Sequence, residues 1–254
     1  MTDFFCVIPA REDSKRFPKK LLFKMFGKEI IIHTVYACAR SRAQKVFVAT
    51  DSEIINELIT NFKNTLKSEV GEKIETKIVR GKKIKSGSDR VGELIRILRI
   101  GGAKIPDIIV NVQGDEPLIT PSIINSVADF LAENNEADIS TYGFWSDDKR
   151  EYENPNRVKI VIGKDNFALY FSRSPIPFGA KKYVIHSGIY AFRLNSLEKF
   201  LSLKQTHNEK TEKLEQLRAL DNGMKIRVLV GKKKLIPVDT PEDVKNINRI
   251  IRRI

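Results

Sequence analysis

Short apolar runs and segments of helical period alternate along the first half of this chain. Phe4–Ile8 is a short apolar run with the profile of a strand buried on both faces, Lys45–Thr50 reads as another, and Thr76–Val79 and the largely apolar Asp107–Val112 read as a third and a fourth strand. Between them, Ile30–Ala39 has helical spacing, and Ser52 opens a helix with Glu53 in its first turn, where the dipole favours an acid. Ser88 is read as the cap of a helix reaching Arg99. Thr120 caps a helix that takes Pro121 as its first residue and runs to about Glu133. Strands alternating with helices in this way predict βαβ units, hence an α/β domain with a mostly parallel sheet and helices on both faces.

After Asp138 the rhythm changes. Ile139–Trp145, Val158–Ile162, Phe167–Phe171 and Ser187–Phe192 are strand-like and lack long helices between them, which predicts an antiparallel insertion or sheet extension at about 139–193. Leu194–Leu203 and Thr211–Asp221 are helical, Gly223 suits the position just past a helix, and Lys225–Val230 returns to a buried strand. Thr240, Pro241 and Asp243 open a last helix as cap, first and third residues. With no internal repeat or linker, residues 1–254 read as one domain carrying a subdomain.

Composition adds little to this picture, and charge adds more. Hydrophobic residues make up 41% and charged residues 30%, values of an ordinary globular protein. No apolar run reaches the roughly 18–20 residues of a bilayer span, and the N-terminus lacks the pattern of a signal peptide. Cys6 and Cys38 are too few for a disulfide framework and lie in apolar stretches. The expectation is a cytoplasmic, reduced protein with no membrane partner. The 45 Lys and Arg against 32 Asp and Glu give a net charge of +13. That suits either a nucleic acid or an anionic nucleotide or sugar. The cations are scattered over the length, with no basic arm or aromatic-plus-basic repeat, so dispersed surface charge is the preferred reading and no specific nucleic acid is expected. A non-catalytic, basic nucleic-acid-binding protein stands as the rival from another class.

Ligands of open parallel sheets bind at the carboxyl ends of the strands. Three loops at such ends carry chemistry. Pro9–Lys20 holds five cations in twelve residues, Arg11, Arg16 and Lys20 among them, which suits a triphosphate although no Walker pattern is present. Ser86–Arg90 follows the third strand. Gln113–Pro117 follows the fourth, and there Asp115 is placed as a metal ligand beside Gly114. Asp239, after the apolar run Leu235–Val238, is able to bring a second carboxylate to the same ion. Glu116 is read as the competing carboxylate, facing water.

Seven motifs occur in order: IPAR-x-x-S-x-R-x-P-x-K (Ile8–Lys20), SGSDR (Ser86–Arg90), NVQGDEP (Asn111–Pro117), ALYFSRSPIP (Ala168–Pro177), H-x-G-I-Y (His186–Tyr190), LEQLR (Leu214–Arg218) and VDTPED (Val238–Asp243). Together they resemble the 3-deoxy-manno-octulosonate (KDO) cytidylyltransferases, over nearly the whole chain. The resemblance implies a Rossmann-like nucleotidyltransferase fold with an antiparallel dimerisation insertion, hence a homodimer. It also implies magnesium-dependent transfer of CMP from CTP to KDO for lipopolysaccharide biosynthesis. Matched position by position, Ala10, Arg11, Arg16 and Lys20 fall on the triphosphate side, and Ser86, Gly87 and Ser88 near the cytosine. Gln113 falls between nucleotide and sugar, and Asp115 and Asp239 on the magnesium. Arg173, His186, Tyr190, Glu215 and Gln216 line the sugar pocket. Arg11, Lys20 and Asp115 would carry catalysis, with His186 a hydrogen-bonding residue in preference to a base. The chain departs from the resemblance at Lys19, where the family usually has Gly. The 8-amino analogue of KDO, or another acidic sugar, remains an alternative substrate.

Overall fold

A computed structural model describes residues 2–12, 17–66, 69–81 and 84–251. Its first strand, β1 (Phe4–Ala10), is buried at every position, and its alternating side chains feed two cores. Phe4, Cys6 and Ile8 point to one face, Phe5 and Val7 to the other. A single 3-10 turn (Lys20–Leu22) follows, then a small hairpin of β2 (Lys24–Met25) and β3 (Lys28–Glu29), closed by Phe26 and Gly27 at positive φ. Next come α1 (Ile30–Ala39), β4 (Lys45–Thr50), α2 (Glu53–Thr65), the short α3 (Glu69–Glu72), β5 (Ile74–Ile78), α4 (Gly87–Ile100), β6 (Ile108–Val112) and α5 (Pro121–Ala132). The second half contains β7 (Ile139–Ser146), α6 (Lys149–Glu153), β8 (Lys159–Ile162), β9 (Ala168–Ser172), β10 (Tyr183–Arg193), α7 (Leu194–Ser202), α8 (His207–Glu212), α9 (Gln216–Asp221), β11 (Ile226–Gly231) and α10 (Pro241–Ile251).

The main sheet runs β11-β7-β10-β6-β1-β4-β5, all parallel except β10, with β8 and β9 attached through β10. Helices α1, α2, α5 and α10 cover one face, through residues such as Val35, Ile59, Val127 and Ile247. Helices α4, α7 and α9 cover the other, through Leu94, Phe200 and Leu217. The mostly parallel α/β sheet with helices on both faces is therefore as expected. No helix among the described residues is long and apolar enough to cross a membrane. From 139 onward, β7 and β10 lie inside the main sheet, and only β8 and β9 leave it.

Several boundaries differ from expectation, each for a local reason. The cap of α4 is Ser86 rather than Ser88, because Asp89 stands three residues after Ser86 and returns a bond to its N–H, completing a capping box. Thr120 does precede α5, with Pro121 in the first turn, but its hydroxyl meets Ser122 instead of capping. The third strand begins two residues early, at Ile74, paired with Val46. The helix expected over Thr211–Asp221 is two helices, broken where Lys213 takes φ 56°. At the last helix, Thr240 and Asp243 exchange the expected bonds.

The chain lays β1, β4 and β5 outward, then returns through α4 to place β6 on the other side of β1. This reversal opens a crevice at the carboxyl ends of β1 and β6, where a doubly wound sheet binds its ligand.

Candidate active site

Three segments meet in that crevice: the loop after β1, the loop after β6, and the return from β11. The Asp115 carbonyl accepts the Val238 N–H at 2.9 Å, and Thr34 donates to the Gly114 carbonyl at 3.1 Å. The loops bearing Asp115 and Asp239 are thus joined through main chain. Both carboxylates turn to one cation: Lys20 Nζ lies 2.5 Å from Asp115 Oδ2 and 3.5 Å from Asp239 Oδ1. Burial works against the Lys20 charge, but Asp115 and then Asp239 outweigh it and hold the ammonium above the ordinary lysine range.

Ala10 ends β1, buried and paired with Thr50, and Arg11 follows it, exposed at the strand end. Arg16 lies outside the described residues. Across the crevice, Ser86, Gly87 and Ser88 form the cap and first turn of α4, whose N-terminal N–H groups favour anions. A Cβ on Gly87 would come 3.2 Å from Gln113 Nε2 and 3.3 Å from Pro9 Cγ, so a glycine lets the three loops close up.

The period of two sorts the remaining residues. Asn111, Thr141, His186 and Tyr190 lie on the same sheet face as α4 and α9. There Ser88 donates to Glu215 Oε1 at 2.8 Å, and Glu215, at the start of α9, is followed by buried Gln216. Burial raises the Glu215 carboxyl; burial and the Glu215 charge raise Tyr190. The Thr141 hydroxyl gives its proton to the Ile189 carbonyl at 2.7 Å, so at 3.0 Å it accepts from His186. Nε2 of His186 therefore carries the hydrogen, and Nδ1 is the acceptor. Burial pushes this imidazole down to about 3, which keeps it neutral and poor as a base, in keeping with a hydrogen-bonding role. Arg173 stands apart from this group: Nε and Nη1 donate to the carbonyls of Glu212 and Pro155, both at 2.9 Å, at the end of α8.

Sequence reasoning missed two residues here. Glu116 does not face water. It is buried, with Oε1 accepting the Gly188 N–H at 2.7 Å, and burial followed by the Asp115 charge pushes its carboxyl up to about 8. Asn111, inside β6, is buried as well. Among the described residues, Asn111 Oδ1, Glu116 Oε2 and Glu215 Oε2 have no hydrogen-bond partner. Buried oxygens in that state are rare in folded proteins and suit a polar, hydroxyl-rich ligand.

A divalent ion fits the donor set. Two carboxylates already share one cation, and magnesium is commonly held by one or two carboxylates completed by substrate phosphate and water. Among the described residues no cluster of three or more His, Cys, Asp or Glu would hold an ion unaided.

Comparison with known proteins identifies the family. The cytidylyltransferase family model matches residues 5–226. The 3-deoxy-manno-octulosonate cytidylyltransferase of Polynucleobacter necessarius is 38% identical over 259 residues, covering 99% of this chain and 96% of that protein. An 8-amino-3,8-dideoxy-manno-octulosonate cytidylyltransferase from a Shewanella species is 37% identical over 245 residues, 94% of each. A solved structure of CMP:2-keto-3-deoxy-manno-octonic acid synthetase complexed with CTP superposes with a TM-score of 0.83, at 29% identity over 99% of both chains. On a match of that length and identity, this chain belongs to the cytidylyltransferase family, among the 3-deoxy-manno-octulosonate enzymes.

Proposed function

We propose that the protein transfers CMP from CTP to the anomeric hydroxyl of KDO, releasing pyrophosphate, as a step toward lipopolysaccharide. The observation that carries this reading is the shared turn of Asp115 and Asp239 toward one cation, beside a pocket of buried, unpartnered oxygens. The sugar oxygen attacks the α-phosphorus in line while pyrophosphate leaves, so negative charge grows on the phosphoryl and leaving oxygens. Lys20 and Arg11 stabilise that charge, with N–H groups at the start of α4 facing the nucleotide. Asp115 and Asp239 would hold magnesium, which when bound supplies charge neutralisation for the triphosphate. Gln113 lies between Gly87 on the nucleotide side and Gly188 on the sugar side. Glu215, Gln216, Tyr190 and neutral His186 offer hydrogen bonds to sugar hydroxyls, while Arg173, which stands apart on the Glu212 and Pro155 carbonyls, would have to turn toward the pocket to meet a sugar carboxylate.

The 8-amino sugar is the second reading, supported by the Shewanella relative and by the unpartnered carboxyl oxygens of Glu116 and Glu215, which would accept from an ammonium. Self-association as a homodimer is supported by exposed Trp145, Leu169 and Phe178 over 139–193. The setting proposed is cytoplasmic, where CTP is available.

Pyrophosphate release with CTP, magnesium and a panel of KDO, 8-amino-KDO and other acidic sugars tests the reading. Turnover highest with KDO is expected. Highest turnover with the amino sugar selects the second reading, and none with any sugar overturns both.

A further inference from the structure

The cation that Asp115 and Asp239 share is the protein's own. Lys20 Nζ sits between them, its side chain only 11% exposed, on the first residue of a 3-10 turn whose preceding residue is fixed at φ 55°. The two carboxylates do not need this lysine to stay close, since the Val238–Asp115 main-chain bond joins their loops. The Asp239 N–H is separately held by Asp243 at 3.0 Å. A lysine side chain, by contrast, is long and rotatable, and moves its charge without moving the backbone.

We infer that Lys20 is a resident counter-ion that closes the carboxylate pair to divalent metal until a nucleotide arrives. The inference rests on the reading of Asp115 and Asp239 as metal carboxylates. In the free protein an incoming dication must eject the ammonium from a partly buried position and leave it beside a like charge, which is unfavourable. A triphosphate reverses the balance by offering the ejected ammonium a new anion within reach of the same loop. Metal and nucleotide then bind as a coupled pair, each raising the affinity of the other by the same factor, as linkage requires. The same lysine thus neutralises two carboxylates in the resting state and phosphate oxygens in the loaded one. The consequence is protection: the free enzyme neither collects stray divalent ions nor leaves two acids facing each other.

Mn2+ is the probe, followed by its electron paramagnetic resonance signal and by calorimetry, so that no step depends on turnover. Wild type, Lys20→Met and Lys20→Arg are titrated without nucleotide and again with a saturating non-hydrolysable CTP analogue. Lys20→Met should bind Mn2+ at least tenfold more tightly than wild type when nucleotide is absent. Lys20→Arg, which keeps a cation in place, should stay near the wild-type affinity, and it guards against a Met variant that fails to fold. The gain in Mn2+ affinity caused by the analogue should be large in wild type and should shrink several-fold in Lys20→Met. Equal Mn2+ affinity of free wild type and Lys20→Met, with Asp239→Asn still losing the ion, overturns the counter-ion role and leaves the metal reading intact. Asp115→Asn and Asp239→Asn without effect on Mn2+ in either state would instead remove the metal reading on which it stands.

Discussion

The N–H of Val238 donates to the carbonyl of Asp115 at 2.9 Å, fastening the return from β11 to the loop after β6. Through that one bond, residues 123 positions apart in sequence bring two acids to a single point. Because main chain sets the geometry, the carboxylates themselves are dispensable to the fold. Asp115→Asn and Asp239→Asn should each lower turnover by ~100-fold or more, as expected for groups that serve developing charge. Unfolding in urea should move by about 1–3 kcal/mol, because the side chains of Lys20, Asp115 and Asp239 are only 11–26% exposed. Unchanged kcat at saturating magnesium in either variant would remove that residue from the chemistry.

Gly188 packs tightly between Glu116 and Gln113. A Cβ there would stand 2.9 Å from Glu116 Oε1 and 3.0 Å from Gln113 Cγ. Glu116 is held by the Gly188 N–H itself, so the new methyl strains that bond and also presses on Gln113. Gly188→Ala should raise KM for the sugar more than KM for CTP, and cost about 1–3 kcal/mol of stability through overpacking. Steady-state kinetics with each substrate varied in turn decides it. A rise confined to CTP would place Gln113 on the nucleotide alone.

The strands that frame the crevice were legible because they are covered on both faces, which makes Phe4–Ile8 a continuous apolar run and Ile108–Val112 one interrupted only by Asn111. Asp115, Asp239 and Lys20 were legible one at a time, as charges at strand ends. Their convergence was not, since it depends on the Val238–Asp115 bond across the fold. Glu116 failed for the same reason: its partner, the Gly188 N–H, lies 72 residues on and becomes a neighbour only when β10 pairs with β6. The cap of α4 was a local error. Ser86 and Ser88 both stand at the start of the same helix, and Asp89, the acid three positions after Ser86, selects Ser86 as the cap. The break at Lys213 has no local cue, because lysine rarely takes φ 56°.

His186 should give the protein an acid limb of its own. Burial pushes its imidazole down from 6.5 to about 3, so the folded state refuses a proton that the unfolded chain accepts. For a base depressed in this way, the stabilisation is complete above pH 6.5 and is lost as pH falls toward 3. Wild type should lose a few kcal/mol across that window from this residue. His186→Gln offers Thr141 an amide N–H in place of the ring and does not titrate, so its stability should fall less steeply. Urea midpoints at pH 7, 6, 5 and 4 compare the two slopes. Parallel slopes would mean that the imidazole reaches water.

Lys19 stands where the sequence resemblance leads to an expectation of glycine, and its backbone gives a physical reason for one. It is exposed and takes φ 55°, ψ 28°, a left-handed conformation that costs a side chain about 1–2 kcal/mol. Glycine adopts it freely, although the unfolded chain gains entropy from the change and returns part of the benefit. Lys19→Gly should therefore stabilise the protein by about 0.5–1 kcal/mol, seen as a higher urea midpoint with an unchanged slope. Lys19→Ala separates backbone from charge: it removes the same cation but keeps the Cβ. If strain is the cause, the alanine variant gains little. An alanine variant as stable as the glycine one would show instead that relief of repulsion within a loop holding Arg11, Lys19 and Lys20 drives the change. The two variants also bear on activity, because the loop carries Lys20, whose ammonium meets Asp115 and Asp239 in the free protein. A glycine that leaves kcat/KM for CTP within about twofold would show that the strained lysine is tolerated by the site rather than required by it.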